Sequence, residues 1–230
     1  MIPTKEIHVH GYLPLLVPTD TEAHMLDGEA CINDVCSSMY EYPREKVEDV
    51  HSALDIGHNI GIATVWMFHW WPAMRSVVAY DPNPGCDELA KQNIRQVLDG
   101  FPDRRIYIHT EAVTADPAPM FHLDERWGCG HTDPCVVPLG DRKPDGEPFS
   151  VPAVHPRDLP PADVIKLDAE GVEGDVVDHY KWWAGVKVLL TEWHSEANRD
   201  KIRTLASRMG WRCAKGGGDG DKGTECWVAV

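Results

Sequence analysis

Two groups of residues in this chain have the types and spacing that chemistry needs. The first is Asp55-Ile56-Gly57-His58-Asn59-Ile60-Gly61, which stands where a β-rich run hands over to a helical one. Glycines at such a junction let the backbone approach a ligand closely, and the helix that follows offers N–H groups at its start. Asp81, at the end of the next β-rich run, can accept hydrogen bonds from both hydroxyls of a ribose. Together they point to a nucleoside-containing cofactor. The second group is Asp168 and Glu170, after one later apolar run, with Glu192 and His194 at the end of the following one. Glu192 and His194 flank Trp193, so they project to the same side of a strand. Beside Asp168 they form either an acid–base group or three ligands for a hard divalent metal. A plainer account makes Glu170 and Glu173 first-turn acids favoured by a helix dipole, and His194 a rim residue.

These residues need a frame to hold them. Residues 52–57, 76–81, 105–110, 162–168 and 186–192 read as strands, the last almost entirely apolar, as for a strand covered on both faces. Between them lie helical patterns. Residues 60–71 are apolar nearly all round and end at Pro72; Leu89, Ala90, Ile94, Val97 and Leu98 share one face; Val172, Val176, Val177 and Tyr180 share another. Ser195 is placed to cap a helix whose stripe is Ile202, Leu205, Ala206 and Met209, with Gly210 as its stop. Strands alternating with helices imply a parallel sheet covered on both faces. Two final strands, 211–214 and 225–230, are joined by the glycine-rich stretch 216–223, too short for a crossover helix, so they form an antiparallel hairpin. In an open sheet of this kind, ligands bind at the carboxyl ends of the strands where the strand order reverses.

Composition narrows the function classes. Hydrophobic residues make up 43% of the 230, too many for a disordered chain. No run reaches the ~18 apolar residues of a membrane span. Residues 1–6 lack a basic start followed by an apolar core, so no signal peptide is expected and the expected location is cytoplasmic. Lys and Arg total 22 against 37 Asp and Glu, for a formal charge of −15. Such a surface repels phosphate backbones, so a nucleic-acid partner is not expected. The seven cysteines are expected to be reduced thiols. Cys129, His131 and Cys135 could join Cys31 and Cys36 at a zinc ion, but no C-x-x-C pair is present, and a lid over the substrate is the favoured role for residues 124–150. Residues 1–47 are expected to form an N-terminal cap, and 48–230 the main domain.

The glycine pattern then separates two nucleoside cofactors. A dinucleotide fingerprint is G-x-G-x-x-G, whereas here Gly57 and Gly61 are separated by three residues with Asn59 at the middle. S-adenosylmethionine (SAM) has no diphosphate to cradle, and its cationic groups suit an acid such as Asp55. Five parallel strands closed by an antiparallel pair is also the class I SAM-methyltransferase sheet, a Rossmann-like α/β fold. Three blocks carry a further resemblance. Leu54–Gly61 reads Leu-Asp-Ile-Gly-His-Asn-Ile-Gly, residues 78–84 read Val-Ala-Tyr-Asp-Pro-Asn-Pro, and residues 164–173 read Val-Ile-Lys-Leu-Asp-Ala-Glu-Gly-Val-Glu. With Leu189-Leu190-Thr191-Glu192 and His194 after them, the chain over about 48–230 resembles the FkbM-like methyltransferases. His58 stands where that family has Ala, and Asp81 where it has Glu; 1–47 and 124–150 match no block.

The resemblance implies SAM-dependent O-methylation of a hydroxyl on a saccharide or related small molecule. It implies cofactor contacts from Asp55, Gly57, His58, Asn59, Gly61, Asp81, Pro82 and Asn83, with Glu111 and Ala112 near the adenine. Asp168, Glu170, Glu192 and His194 would line the reaction edge, with a divalent metal on Asp168, Glu192 and His194 as one option. Rival readings are an N- or carboxyl-methyltransferase for a peptide or amino acid, an NAD-linked oxidoreductase, and a SAM-binding protein without catalysis.

Overall fold

The computed structural model describes residues 4–7, 15–18, 47–99, 101–117, 120–121, 149–219 and 222–230. Most of the expected cap and lid, with Cys31, Cys36, Cys129, His131, Cys135, His8 and His10, lies outside the described residues.

Strands β1 (Thr4–Ile7) and β2 (Leu15–Pro18) form an antiparallel pair of their own. The main sheet begins with β3 (Ser52–Ile56), followed by α1 (Ile62–Trp70), β4 (Ser76–Tyr80), α2 (Pro84–Leu98) and β5 (Arg105–His109). Four two-residue strands follow: β6 (Ala112–Val113), β7 (Met120–Phe121), β8 (Phe149–Ser150) and β9 (Ala153–Val154). The chain then re-enters the sheet with β10 (Val164–Leu167), α3 (Glu173–His179), β11 (Val188–Trp193), α4 (Glu196–Met209), β12 (Arg212–Asp219) and β13 (Lys222–Val228). The seven-stranded order is β12-β13-β11-β10-β3-β4-β5. Strands β5, β4, β3, β10 and β11 are parallel, and β13 runs antiparallel to both β11 and β12. This is the class I methyltransferase architecture, with the strand order reversing between β3 and β10.

Alternation along the strands builds two cores. Ala53, Val77, Ala79, Val164, Val188 and Leu190 face α1 and α2, while Leu54, Ile56, Ile165, Leu167 and Leu189 face α3 and α4. α1 is buried on all sides from Ile62 to Phe68, in line with its unbroken apolar run. Ser195 Oγ accepts the N–H of Asn198 at 3.1 Å, and Gly210 adopts the left-handed conformation, so both ends of α4 are where the cap residues stand. No helix among the described residues is long and apolar enough to cross a membrane.

One element differs from expectation. The glycine-rich stretch is not merely a connection: β12 runs on to Asp219 and β13 begins at Lys222, so Gly216, Gly217, Gly218 and Gly223 lie in the ladder. Two of them, Gly218 and Gly223, lie on the Trp193 indole. A Cβ on Gly223 would stand 2.5 Å from its ring, and one on Gly218 2.9 Å. Only residues without side chains let the hairpin cross there.

Candidate active site at the strand-order reversal

The loop after β3 is held by its own hydrogen bonds. Gly57, Asn59 and Gly61 all have positive φ, at 82°, 50° and 83°. The N–H groups of Gly57 and His58 donate to the Tyr80 carbonyl at 2.8 and 3.2 Å, and that of Gly61 to the His58 carbonyl at 2.8 Å. Asn59 N–H donates to Asp81 Oδ2 at 2.8 Å, and Ile60 N–H to Asn59 Oδ1 at 2.7 Å. Every N–H from Gly57 to Gly61 therefore has an acceptor within the protein. Asp81 also accepts the Asn83 N–H on Oδ1 at 2.8 Å, which pins Pro82 and Asn83 beside the loop. Asn93 of α2 donates to the Ile60 carbonyl from below. His58 is buried, its Nδ1 2.7 Å from the Asn59 carbonyl.

Asp55 is fully buried beneath this loop. Its Oδ2 accepts the Thr64 hydroxyl, and its Oδ1 lies 3.8 Å from Lys166 Nζ. Lys166 stands opposite Asp55 in the β10–β3 register, donates to the Gly57 carbonyl, and approaches Asp168 Oδ2 to 3.2 Å. A buried lysine thus meets the charge of Asp55 and ties the loop to the next strand. Its position in an otherwise apolar strand was a signal the sequence carried, although its role was not assigned. Further out, Tyr80 stacks on His109 at 4.7 Å, and His109 Nδ1 is 3.3 Å from the half-buried Glu111. Ala112 is buried, and its N–H donates to the Pro152 carbonyl at 2.8 Å.

Across the reversal lies the second group. Glu170 and Gly171 have φ of 50° and 106°, a tight turn between β10 and α3. Glu173 makes that turn: its Oε1 accepts the N–H groups of Ala169 and Gly171, at 3.2 and 3.0 Å. The same oxygen lies 2.8 Å from His194 Nδ1, and Oε2 accepts Asn198 Nδ2 at 2.7 Å. Glu173 is completely buried, so the plain first-turn account of this residue gives way to a structural hub. Asn198, held by the Ser195 cap, was not singled out from the sequence and links α4 to the turn.

His194 stands between two carboxylates, with Nε2 3.1 Å from Glu170 Oε2. Glu192 Oε1 is 3.7 Å from the same nitrogen and 2.9 Å from Lys222 Nζ. Both Glu170 oxygens, Asp168 Oδ1 and His194 Nε2 are buried without a hydrogen-bond partner among the described residues; Glu170 Oε2 approaches His194 Nε2 without an aligned hydrogen bond. Burial tends to lower the His194 pKa, but the Glu173 hydrogen bond and the charges of Glu170, Glu173 and Asp168 outweigh it and carry it to about 9. Burial and the Asp168 charge push Glu170 up to about 9, against His194 and Lys222. Burial and Asp168 also raise Glu192.

Candidate ligand atoms of Asp168, Glu192 and His194 all lie within 4.8 Å of one another, as the sequence suggested for a metal. Their partners do not fit one. Each carboxylate already faces a lysine, Asp168 at Lys166 and Glu192 at Lys222, and His194 Nδ1 is taken up by Glu173.

No protein family and no curated protein matches the chain. Among solved structures it is similar to the methyltransferase FkbM from Methylobacillus flagellatus KT, with a TM-score of 0.53 and 14% identity. That match covers 80% of this chain and 44% of that one, so the chain spans less than half of that protein's length. It is also similar to M. jannaschii TYW2 in complex with AdoMet, with a TM-score of 0.52 and 10% identity over 100% of this chain and 88% of that one. At such identities the likeness is one of fold, and the fold it shows is that of the class I methyltransferases.

Proposed function

We propose that this chain is a SAM-dependent methyltransferase that methylates a hydroxyl of a small acceptor, most simply a saccharide. The observation that carries this reading is the loop at the strand-order reversal. Its N–H groups, from Gly57 to Gly61, are all spent within the protein, while the Asp81 carboxylate stands at its rim with lone pairs to spare. A diphosphate needs free N–H donors, whereas a nucleoside without phosphates needs an acceptor for its ribose hydroxyls. The same observation speaks against an NAD-linked oxidoreductase.

Asp81 would hold the ribose, with His58, Asn59, Pro82 and Asn83 shaping the adjoining wall and Glu111 at the adenine end. Asp55 acts from beneath, through Thr64 and Lys166, to keep the loop in place. Bound SAM supplies an electrophilic methyl group on a positively charged sulfur. The acidic edge of Asp168, Glu170, Glu192 and His194 receives the acceptor. A sugar hydroxyl becomes a nucleophile as its proton leaves, and the carboxylate with the highest proton affinity here is Glu170. Once its own proton has left, near pH 9, Glu170 takes that of the acceptor, and Asp168 orients the hydroxyl through its undonated Oδ1. An amine acceptor needs less help from a base, which favours oxygen over nitrogen. The acidic composition of the chain argues for a small acceptor over a nucleic acid.

Calorimetric titration of SAM and S-adenosylhomocysteine, with NAD as control and Asp81→Ala alongside, tests the cofactor. Micromolar SAM binding lost in the variant is the expected result; NAD binding in its place would refute the proposal. Transfer of labelled methyl to a panel of saccharides then tests the acceptor class.

A further inference from the structure

The disagreement between the Asp168–Glu192–His194 cluster and a metal has a specific cause in the C-terminal hairpin. β13 pairs with β11 so that Glu192 faces Thr224 and Trp193 faces Gly223. Lys222, two residues from Thr224, is on the same face as Glu192, one diagonal step along the ladder. Its Nζ lies 2.9 Å from Glu192 Oε1. The hairpin reaches this point because Gly218 and Gly223 ride directly on the Trp193 ring, where any Cβ would collide. On the other side of the cluster, Lys166 stands 3.2 Å from Asp168 Oδ2 and cannot withdraw without leaving the buried Asp55 unpaired.

We propose that Lys222, carried in by the glycine hairpin, fills with its ammonium the place a divalent cation would take between Glu192 and the other acids, with Lys166 closing the opposite side. The site then works without metal. Two built-in ammonium groups, Lys166 and Lys222, face the carboxylates of Asp168 and Glu192. A divalent ion would have to displace Lys222 from Glu192 and sit against Lys166 at close range, where like-charge repulsion is strong. Lys222 keeps part of its side chain exposed and has N–H donors beyond the one aimed at Glu192, so it can also orient an acceptor oxygen. That catalytic consequence rests on the methyltransferase reading; the cation-binding claim does not.

The test is titration of Mn²⁺ into the wild-type protein, Lys222→Met and Lys222→Arg, followed by calorimetry and by the electron-spin resonance signal of free Mn²⁺. Wild type and Lys222→Arg are expected to show no site-bound Mn²⁺ up to about millimolar concentration, the weak end of protein sites for hard divalent ions. Lys222→Met is expected to bind it at least about tenfold more tightly, and to lose that gain when Glu192→Gln is added. Micromolar Mn²⁺ binding by the wild type that Asp168→Asn abolishes would overturn the proposal, and needs no Lys222 variant to detect. A folded Lys222→Met, with the wild-type melting curve, that gains no Mn²⁺ would overturn it too. Absence of SAM binding would sink the methyltransferase reading yet leave these outcomes as they stand.

Discussion

Gly57 packs against Asp168 so closely that a Cβ on the glycine would stand 1.8 Å from the Asp168 carbonyl oxygen. The loop after β3 and the turn after β10 therefore share one wall, where the proposed cofactor end meets the proposed reaction edge. Gly57 also has a φ of 82°, which an L side chain resists. Gly57→Ala is expected to cost about 2–4 kcal/mol through strain and overlap together. Gly61→Ala should cost less, because its Cβ would meet the flexible end of Ile94 at 3.1 Å rather than backbone. Thermal melts of the two variants compare them directly; equal losses would contradict the shared wall.

Asp81 holds the loop and, in the proposed function, also the ribose. Asp81→Ala is expected to weaken SAM binding about 100-fold, the equivalent of roughly 3 kcal/mol for two hydrogen bonds to a charged group. Because Asn59 and Asn83 would lose their acceptor, the melting temperature should fall as well. Calorimetry read beside the melting curve separates the two effects, and undiminished SAM affinity would remove Asp81 from the cofactor site.

Removing the Glu173 hub leaves three donors and an imidazolium facing an empty buried space. Glu173→Ala is expected to destabilise the fold by about 3–5 kcal/mol, as when one partner of a buried ion pair is deleted. Glu173→Gln keeps the shape and one acceptor, so it should fold. Its effect should appear at His194, whose pKa would fall from about 9 once the charge at Nδ1 is gone. A proton-resonance titration of the His194 ring measures this, and an unchanged midpoint would show that Glu173 does not set it.

Raised proton affinities at His194 and Glu170 give the protein a pH signature. In the unfolded chain His194 releases its proton near 6.5, and in the folded chain near 9. The stabilisation this provides is complete below pH 6.5 and is lost as pH climbs through about 9. Glu170, raised from 4.5 to about 9, also binds its proton more tightly in the folded state, so its contribution falls over 4.5–9 in the same direction. Chemical denaturation at intervals from pH 6 to 9.5 should show declining stability, and less decline in Glu170→Gln. Methyl transfer should behave oppositely, rising towards pH 9 as the pair gives up its proton and Glu170 becomes free to accept one from the acceptor.

Some of this organisation is written locally. Asp81 and the Gly57–Gly61 loop could be placed because glycines with positive φ and an acid at a strand end leave a fixed mark on the sequence. The α4 boundaries were equally legible, since Ser195 and Gly210 act within a few residues of themselves. The reach of the last hairpin was not. Gly218 and Gly223 resemble loop glycines unless the Trp193 ring beneath them is known.

By itself, the sequence determined the order of the main-sheet strands and their helices, the two apolar faces of the sheet, and the edge where its acids gather. These follow from periodicity, caps and chain connectivity, all of which act over short stretches. Only the tertiary structure decided which charge meets which. Lys166 reaches the Gly57 carbonyl across 109 positions of sequence, Glu173 joins His194 and Asn198 of later elements, and Lys222 lands on Glu192 through strand register. Such pairings depend on the alignment of distant strands and the side-chain room between them. No local pattern encodes either, and they turned a set of metal-ligand types into a site that supplies its own cations.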